Sequence, residues 1–76
     1  MNNLFLTDKQ VAFLANVSVS YISALFKKGD KFTLKPGEVD LRKCNPLSIA
    51  GGRRWNPVKV AEILGTTPAK IREMLQ

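Results

Sequence analysis

The sequence predicts a small, mainly helical α+β fold, and three observations lead to this prediction. Signals for the start of a helix occur twice near the beginning of the chain and twice near its end. Between them lie short stretches of alternating apolar residues interrupted by glycine, which are typical of strands joined by tight turns. The chain has 76 residues, a length that supports one hydrophobic core, so we expect a single domain over residues 1–76.

The first predicted helix begins after Thr7. Thr7 and Gln10 have the spacing of a capping box, in which each side chain accepts a hydrogen bond from the other residue's backbone N–H. The helix is expected to run from about Asp8 to Ala15. Asn16 follows, and asparagine is one of the few residues besides glycine that tolerates the left-handed conformation that ends many helices.

A second helix is predicted directly after this break, with Ser18 as its N-cap and its end near Lys28. Its residues divide into two faces at the three-and-four spacing of a helix. The expected inward residues are Val19, Ile22, Leu25 and Phe26. The expected outward residues are Ser20, Tyr21, Ser23, Ala24 and Lys27. The break in the apolar stretch "AFLANVSVSYISALF" is therefore interpreted as a tight turn between two packed helices.

Two β-hairpins are predicted in the middle of the chain. The stretch "FTLKPGEVDL" has two short alternating segments around Lys35–Glu38, with Pro and Gly at the central positions that a type II turn prefers. The second hairpin is expected from "LSIA" and "RRW", joined by Gly51 and Gly52.

Two further helices are predicted after the hairpins. Asn56 caps the third helix, Pro57 occupies its first position, and Gly65 ends it. A Thr-Pro pair then repeats this start for a fourth helix over residues 67–75. Trp55, which precedes the cap, is expected in the core.

The composition favours a polyanionic partner. Twelve Lys and Arg against six Asp and Glu give a net charge of +6, which indicates nucleic acid first and an anionic membrane surface second. No apolar run reaches the length of a membrane span, and the helix faces are too small for a broad apolar surface. The chain has no His and one Cys, so we expect no metal site, no cofactor and no enzymatic activity. Cys44 is predicted to be a reduced thiol in a loop, and the protein to be cytoplasmic.

Two helices joined by a short turn, the second starting with small polar residues and ending in lysines, have the layout of a helix-turn-helix. Serine hydroxyls can donate to or accept from either type of base pair, and the positive end of the helix dipole favours phosphate. Residues 27–54 hold eight of the twelve basic residues and only three acids. An ordinary helical hairpin is the alternative, and the charge distribution favours DNA binding.

Arg53 and Arg54 follow the Gly-Gly turn, where a hairpin tip could present positive charge beside the second helix. Because neighbouring strand residues alternate between faces, one arginine is expected to point toward solvent or DNA while the other packs over the hairpin. The alternative is that both are solubility charges.

The segments "LTDKQVAFLANVSVSYISALFKKG" and "GGRRWNPVKVAEIL" resemble the MerR-like winged helix-turn-helix group of AlpA-type regulators and phage excisionases. The resemblance implies sequence-specific binding of double-stranded DNA, transcription regulation or DNA recombination in a phage, and an integrase or further copies of itself as partners. It implies that the recognition helix contacts DNA through Ser18, Ser20, Tyr21, Ala24, Lys27 and Lys28. The implied wing residues are Arg53 and Arg54.

Three alternatives remain open at this point. The segment "VAEILGTTPAKIREM" aligns with "VAFLANVSVSYISAL" and could be a second helix-turn-helix. If it were the DNA-contacting one, the residues facing DNA would be Pro68, Ala69, Lys70 and Arg72. The domain could also be the DNA-recognition part of a phage terminase small subunit, or a small basic adaptor that binds an acidic protein.

Overall fold

Four α-helices and one antiparallel β-hairpin make up the fold in the computed structural model, which describes residues 5–50 and 52–76. The helices are α1 (Asp8–Ala15), α2 (Val19–Lys28), α3 (Pro57–Leu64) and α4 (Pro68–Leu75). The strands are β1 (Leu47–Ile49) and β2 (Gly52–Arg54). The mainly helical α+β class is the predicted one, and the arrangement is consistent with a small winged helix-turn-helix domain.

Each predicted helix start is confirmed by its capping hydrogen bond. At α1 the capping box is complete, since Thr7 N donates to Gln10 Oε1 at 2.9 Å and Gln10 N donates to Thr7 Oγ1 at 3.2 Å. Ser18 Oγ caps α2, Asn56 Oδ1 caps α3, and Thr67 Oγ1 caps α4. Four side chains, three hydroxyls and one amide, therefore accept from N–H groups that a helix start leaves without a partner.

The helical hairpins α1–α2 and α3–α4 repeat the same local structure. Asn16 and Gly65 both end their first helix in the left-handed conformation, with φ of 58° and 73°. In each turn the next backbone N–H returns to the first helix, Val17 N to Ala12 O and Thr66 N to Ala61 O, both at 2.9 Å. The alignment noticed in the sequence is thus a structural repeat.

A backbone bridge joins the two repeats. Leu6, which precedes the cap of α1, pairs antiparallel with Trp55, which precedes the cap of α3. Both side chains are buried, and Trp55 is fully so, as predicted. The core around them consists of Leu6, Val11, Ala12, Ile22, Leu25, Leu41, Cys44, Trp55, Val60, Ala61 and Ile71.

The first predicted hairpin is wrong, because residues 32–41 form no strands. Only its turn is present, with Glu38 N donating to Lys35 O at 3.1 Å. On either side the chain forms 3₁₀ helices, Gly29–Lys31 and Leu41–Cys44. The guanidinium of Arg42 donates to the carbonyls of Gly29 and Phe32, so at Phe32 a side chain and not a partner strand satisfies the carbonyl.

The second predicted hairpin is confirmed, with a shifted turn. Leu47 pairs with Arg54, Ser48 with Arg53, and Ile49 with Gly52. Gly52 is therefore a strand residue, whereas the prediction placed it in the connection between the strands. Gly51, the other residue of the predicted connection, lies outside the described residues. We call this hairpin, β1 with β2, the wing.

Cys44 also differs from the prediction. It ends the second 3₁₀ helix, not a loop, and its side chain is buried in the core, 1% exposed. Leu41 and Cys44 lie three residues apart, so in a 3₁₀ helix they share the face that covers the core. In the described part of the chain, no helix combines the length and apolar character needed to cross a membrane.

Candidate nucleic-acid interface

The open face of α2 is built from small polar residues and lysines. Ser18, Ser20, Lys27 and Lys28 are exposed, and Ala24 is half-buried. The inward prediction holds for Ile22 and Leu25, which are fully buried, and for Phe26, which packs against the core. Side chains this small allow a helix backbone to come close to base edges in the major groove.

Tyr21 lies differently from the sequence prediction. Its ring packs edge-on against Phe32, with the ring centroids 5.4 Å apart, so the side chain is half-buried against the loop after α2 and does not stand on the open face. Burial raises the pKa of the Tyr21 phenol, and the negative charges of Glu38 and Asp40 raise it further. These acidic neighbours disfavour a phosphate at this position, so Tyr21 supports the loop.

Arg53 is held against the body of the domain. Its guanidinium bonds Asp8, with Arg53 NH1 and Asp8 Oδ2 2.6 Å apart, and its Cζ lies 4.5 Å from the centroid of the Phe26 ring. The second carboxylate oxygen of Asp8 accepts from the indole Nε1 of Trp55 at 2.7 Å. Arg53 is thus the arginine that packs, but against Asp8 and Phe26 and not over the hairpin as predicted.

Arg54 lies on the opposite face of the wing. Directly opposed residues of an antiparallel pair project to the same side, so Arg54 shares its face with Leu47, which is 55% exposed. Arg54 NH1 donates to the carbonyl of Arg53 at 3.0 Å, and this bond places its charge beside the turn. Arg54 forms no ion pair among the described residues, which leaves its charge available to a ligand.

A cleft of about 400 Å³ separates the wing from the starts of α1 and α2. Val19 and Lys9 line it together with both arginines of the wing, Arg53 and Arg54. The prediction that Val19 points inward is wrong, since its side chain is 42% exposed. Val19 lies at the edge of the apolar face of α2, and the wing approaches this edge without closing over it.

Sequence reasoning missed three residues of this surface, Lys9, Val19 and Ser23. Ser23 was assigned to the outward face and is exposed, but it was not among the candidate contacts. The three-residue spacing from Ser20 to Ser23 could have identified it, because residues three apart lie on one helix face. Lys9 carried no such signal, since its place beside the wing depends on contacts distant in sequence.

The basic segment presents less free charge than its composition indicates. Arg42 donates to both carboxylate oxygens of Asp40, from Nε at 2.8 Å and from NH2 at 3.1 Å. Arg53 is also paired with an acid, through a single bond from NH1 to Asp8 Oδ2. Two of the eight basic residues therefore serve the fold, and the exposed positive charge on and beside α2 comes mainly from lysines.

The second helix-turn-helix presents a different surface. Ala69, Lys70 and Arg72 are exposed on α4, as the alternative requires, and Pro68 is half-buried. Lys70 Nζ lies 3.8 Å from Glu73 Oε1 on the same helix. An acidic side chain on this face makes it less suited to a phosphate backbone than α2 is.

The described residues contain no cluster of three or more potential metal ligands. The Cys44 thiol is unsuited to nucleophilic chemistry, because burial raises its pKa to about 11. No protein-family model, curated protein or solved structure matches the chain.

Proposed function

We propose that the protein binds double-stranded DNA in a sequence-specific manner, with α2 in the major groove and the wing on the adjoining backbone. The observation that carries this proposal is the open face of α2, where Ser20 and Ser23 stand exposed with Lys27 beyond them. The hydroxyls at the start of this helix can hydrogen-bond with base edges, and the lysines at its end can pair with phosphates.

The wing supports the same proposal. Arg54 lies in the cleft wall together with Lys9, next to the first residue of α2. A cation beside the start of a helix in the major groove is suited to the phosphate backbone that borders the groove. We expect Arg54 to be the wing residue that contacts DNA.

The biological output we propose is that of a phage or mobile-element regulator, either an excisionase or an AlpA-like transcription regulator, acting in the cytoplasm. A domain with one recognition helix contacts a short site, so specificity requires several copies side by side or a dimer. In the excisionase case an integrase would be the protein partner.

A protein-binding adaptor is the second candidate, favoured by a separate surface. Phe13 is 63% exposed and Met74 is 47% exposed, and the two line one groove between α1 and the end of α4. Exposed aromatic and methionine side chains are enriched in protein interfaces. This groove does not exclude DNA binding, and both surfaces can function in one protein.

The deciding experiment is a titration of a fluorescein-labelled random duplex by anisotropy at several salt concentrations. We expect binding at low salt that weakens linearly in a plot of log affinity against log salt. Lys27→Ala should reduce the affinity, and Lys70→Ala should leave it nearly unchanged. The absence of binding at micromolar protein would reject the proposal, and a larger loss from Lys70→Ala would transfer it to α4.

A further inference from the structure

We propose that Asp8 is a positioning residue that holds the wing in its DNA-binding orientation, and that its partner Arg53 is kept off the DNA. This inference rests on the proposed function and assigns different roles to the two adjacent arginines. It starts from the carboxylate of Asp8, whose two oxygens bond two different residues of one segment, Arg53 and Trp55.

The wing needs such an anchor because it is very short. Its strands have three residues each, and an isolated two-stranded hairpin is at best marginally stable in water. The base of β2 is fixed by the backbone bridge between Trp55 and Leu6. Beyond this base, the bond from Arg53 to Asp8 ties the middle of the wing to α1.

Arg53 is also fixed from a second direction. Its guanidinium lies over the Phe26 ring, and that ring packs edge-on against Trp55 with centroids 5.6 Å apart. The side chains of Arg53 and Asp8 are each 21% exposed. A phosphate at Arg53 would compete with the Asp8 carboxylate for the guanidinium, whereas Arg54 has no acidic partner among the described residues.

The first test compares Arg53→Met with Arg54→Met by the salt dependence of binding to a random duplex. Methionine keeps an apolar stem of similar length, so packing over Phe26 is retained and the charge is removed. We expect Arg54→Met to reduce the slope of log affinity against log salt by about 0.9. Arg53→Met should leave the slope at its wild-type value. An equal reduction by both variants would overturn the inference.

The second test uses Asp8→Asn, in which the amide oxygen can still accept from Trp55 but the amide N–H groups face the guanidinium. Glu62→Gln is the matched control, because Glu62 is exposed on α3 and its change alters the net charge equally. In the Asp8→Asn background, Arg54→Met should change the slope by less than in the wild type, because a loosened wing no longer holds Arg54 at a phosphate.

The control background should show the full effect of Arg54→Met. If Asp8→Asn and Glu62→Gln behave alike, Asp8 does not position the wing. Trp55 is the only tryptophan, so its indole N–H gives one NMR signal that reports whether each variant is folded. A wild type that fails to bind any duplex rejects the proposed function, whereas a wild type that binds, with the two arginine variants indistinguishable, rejects only the present inference on Asp8 and Arg53.

Discussion

Leu6 and Trp55 donate their backbone N–H groups to each other's carbonyl oxygens, both at 2.8 Å. Each residue directly precedes the N-cap of the first helix of a repeat, so the two helix-turn-helix units meet at equivalent points. The bridge also fixes the base of β2 beside α1. One short backbone contact therefore sets both the relation of the two repeats and the place of the wing.

Replacing the equivalent N-caps Ser18 and Thr67 should distinguish an effect on stability from an effect on DNA binding. Each hydroxyl accepts one backbone N–H, at 3.0 Å from Tyr21 and 3.2 Å from Lys70. Replacing either by Ala should lower the free energy of unfolding by about 1 kcal/mol, measured by urea titration. Only Ser18→Ala should also weaken DNA binding, measured where both variants are fully folded. Equal binding losses would contradict the assignment of α2 as the recognition helix.

Ser20 and Tyr21 should differ in their effect on sequence discrimination. Ser20→Ala is expected to narrow the free-energy gap between a selected site and random DNA by about 1–3 kcal/mol, because an exposed hydroxyl that bonds a base is lost. Tyr21→Phe keeps the ring against Phe32 and removes only the phenol, so the gap should not change. Anisotropy titrations with the selected duplex and the random duplex measure this free-energy gap. If Tyr21→Phe narrowed the free-energy gap as much as Ser20→Ala does, Tyr21 would have to be a DNA contact.

Val19 is expected to contact a thymine methyl group, because its exposed side chain stands at the start of α2 beside the wing. Deoxyuridine lacks this methyl, so replacing the contacted thymine should cost about 0.8 kcal/mol of binding free energy. Val19→Ala should make the protein insensitive to that replacement. Val58→Ala, at a similarly exposed valine on α3, should retain the sensitivity. No response to deoxyuridine at any position would contradict the contact.

Asp40 should contribute to the loss of stability in acid. Its hydrogen bond from Arg42 holds the pKa of this carboxyl below its ordinary value. Because the pKa of Asp40 is lowered in the folded state, its contribution to stability is complete above the ordinary carboxyl pKa of about 4. That contribution is lost as the pH falls through the lower pKa of the folded state. Urea midpoints measured between neutral pH and about pH 2 should decline less steeply in Asp40→Asn. Asp30→Asn, at an exposed acid, is the control that should keep the wild-type slope.

Cys44 should resist thiol reagents while the protein is folded. Its thiol is buried and has a pKa of about 11, so little thiolate is present at neutral pH. Ellman's reagent should react with the native protein only through unfolding, and rapidly with one thiol in urea. Because the folded pKa is raised, stability should be retained below the ordinary thiol pKa and fall as the pH rises toward 11. Fast labelling of the folded protein would contradict this burial.

The helix boundaries could be predicted because their causes are local. A capping residue and the N–H that it accepts lie two or three positions apart, as Asn56 and Val58 do, so the pattern is visible in the sequence. The left-handed ends at Asn16 and Gly65 depend on single residue types. The same periodicity placed Ser20 and Ser23 on the open face of α2 correctly, but it misplaced Val19 and Tyr21.

The roles of the arginines could not be predicted because their partners are distant in sequence. Arg53 and Asp8 are 45 positions apart, and Arg42 and Gly29 are 13 apart. No periodicity relates such pairs. The sequence therefore indicates a basic patch over residues 27–54, although two of its arginines, Arg42 and Arg53, form ion pairs within the fold. The strands predicted after α2 are absent, and alternating apolar residues could not show that the guanidinium of Arg42 donates to the carbonyls of Gly29 and Phe32.

The bridge between Leu6 and Trp55 also affects how the chain folds during its synthesis. The first helical hairpin is synthesised first, and Trp55, the partner of Leu6 at the bridge, is added 49 residues after Leu6. At about 5–20 residues per second, this delay lasts a few seconds, far longer than a helical hairpin needs to form. The apolar sides of α1 and α2 thus remain uncovered until Trp55 arrives, so a nascent chain shortened before Trp55 should be a substrate for chaperones and proteases, and cooperative folding should begin only when the second repeat has emerged.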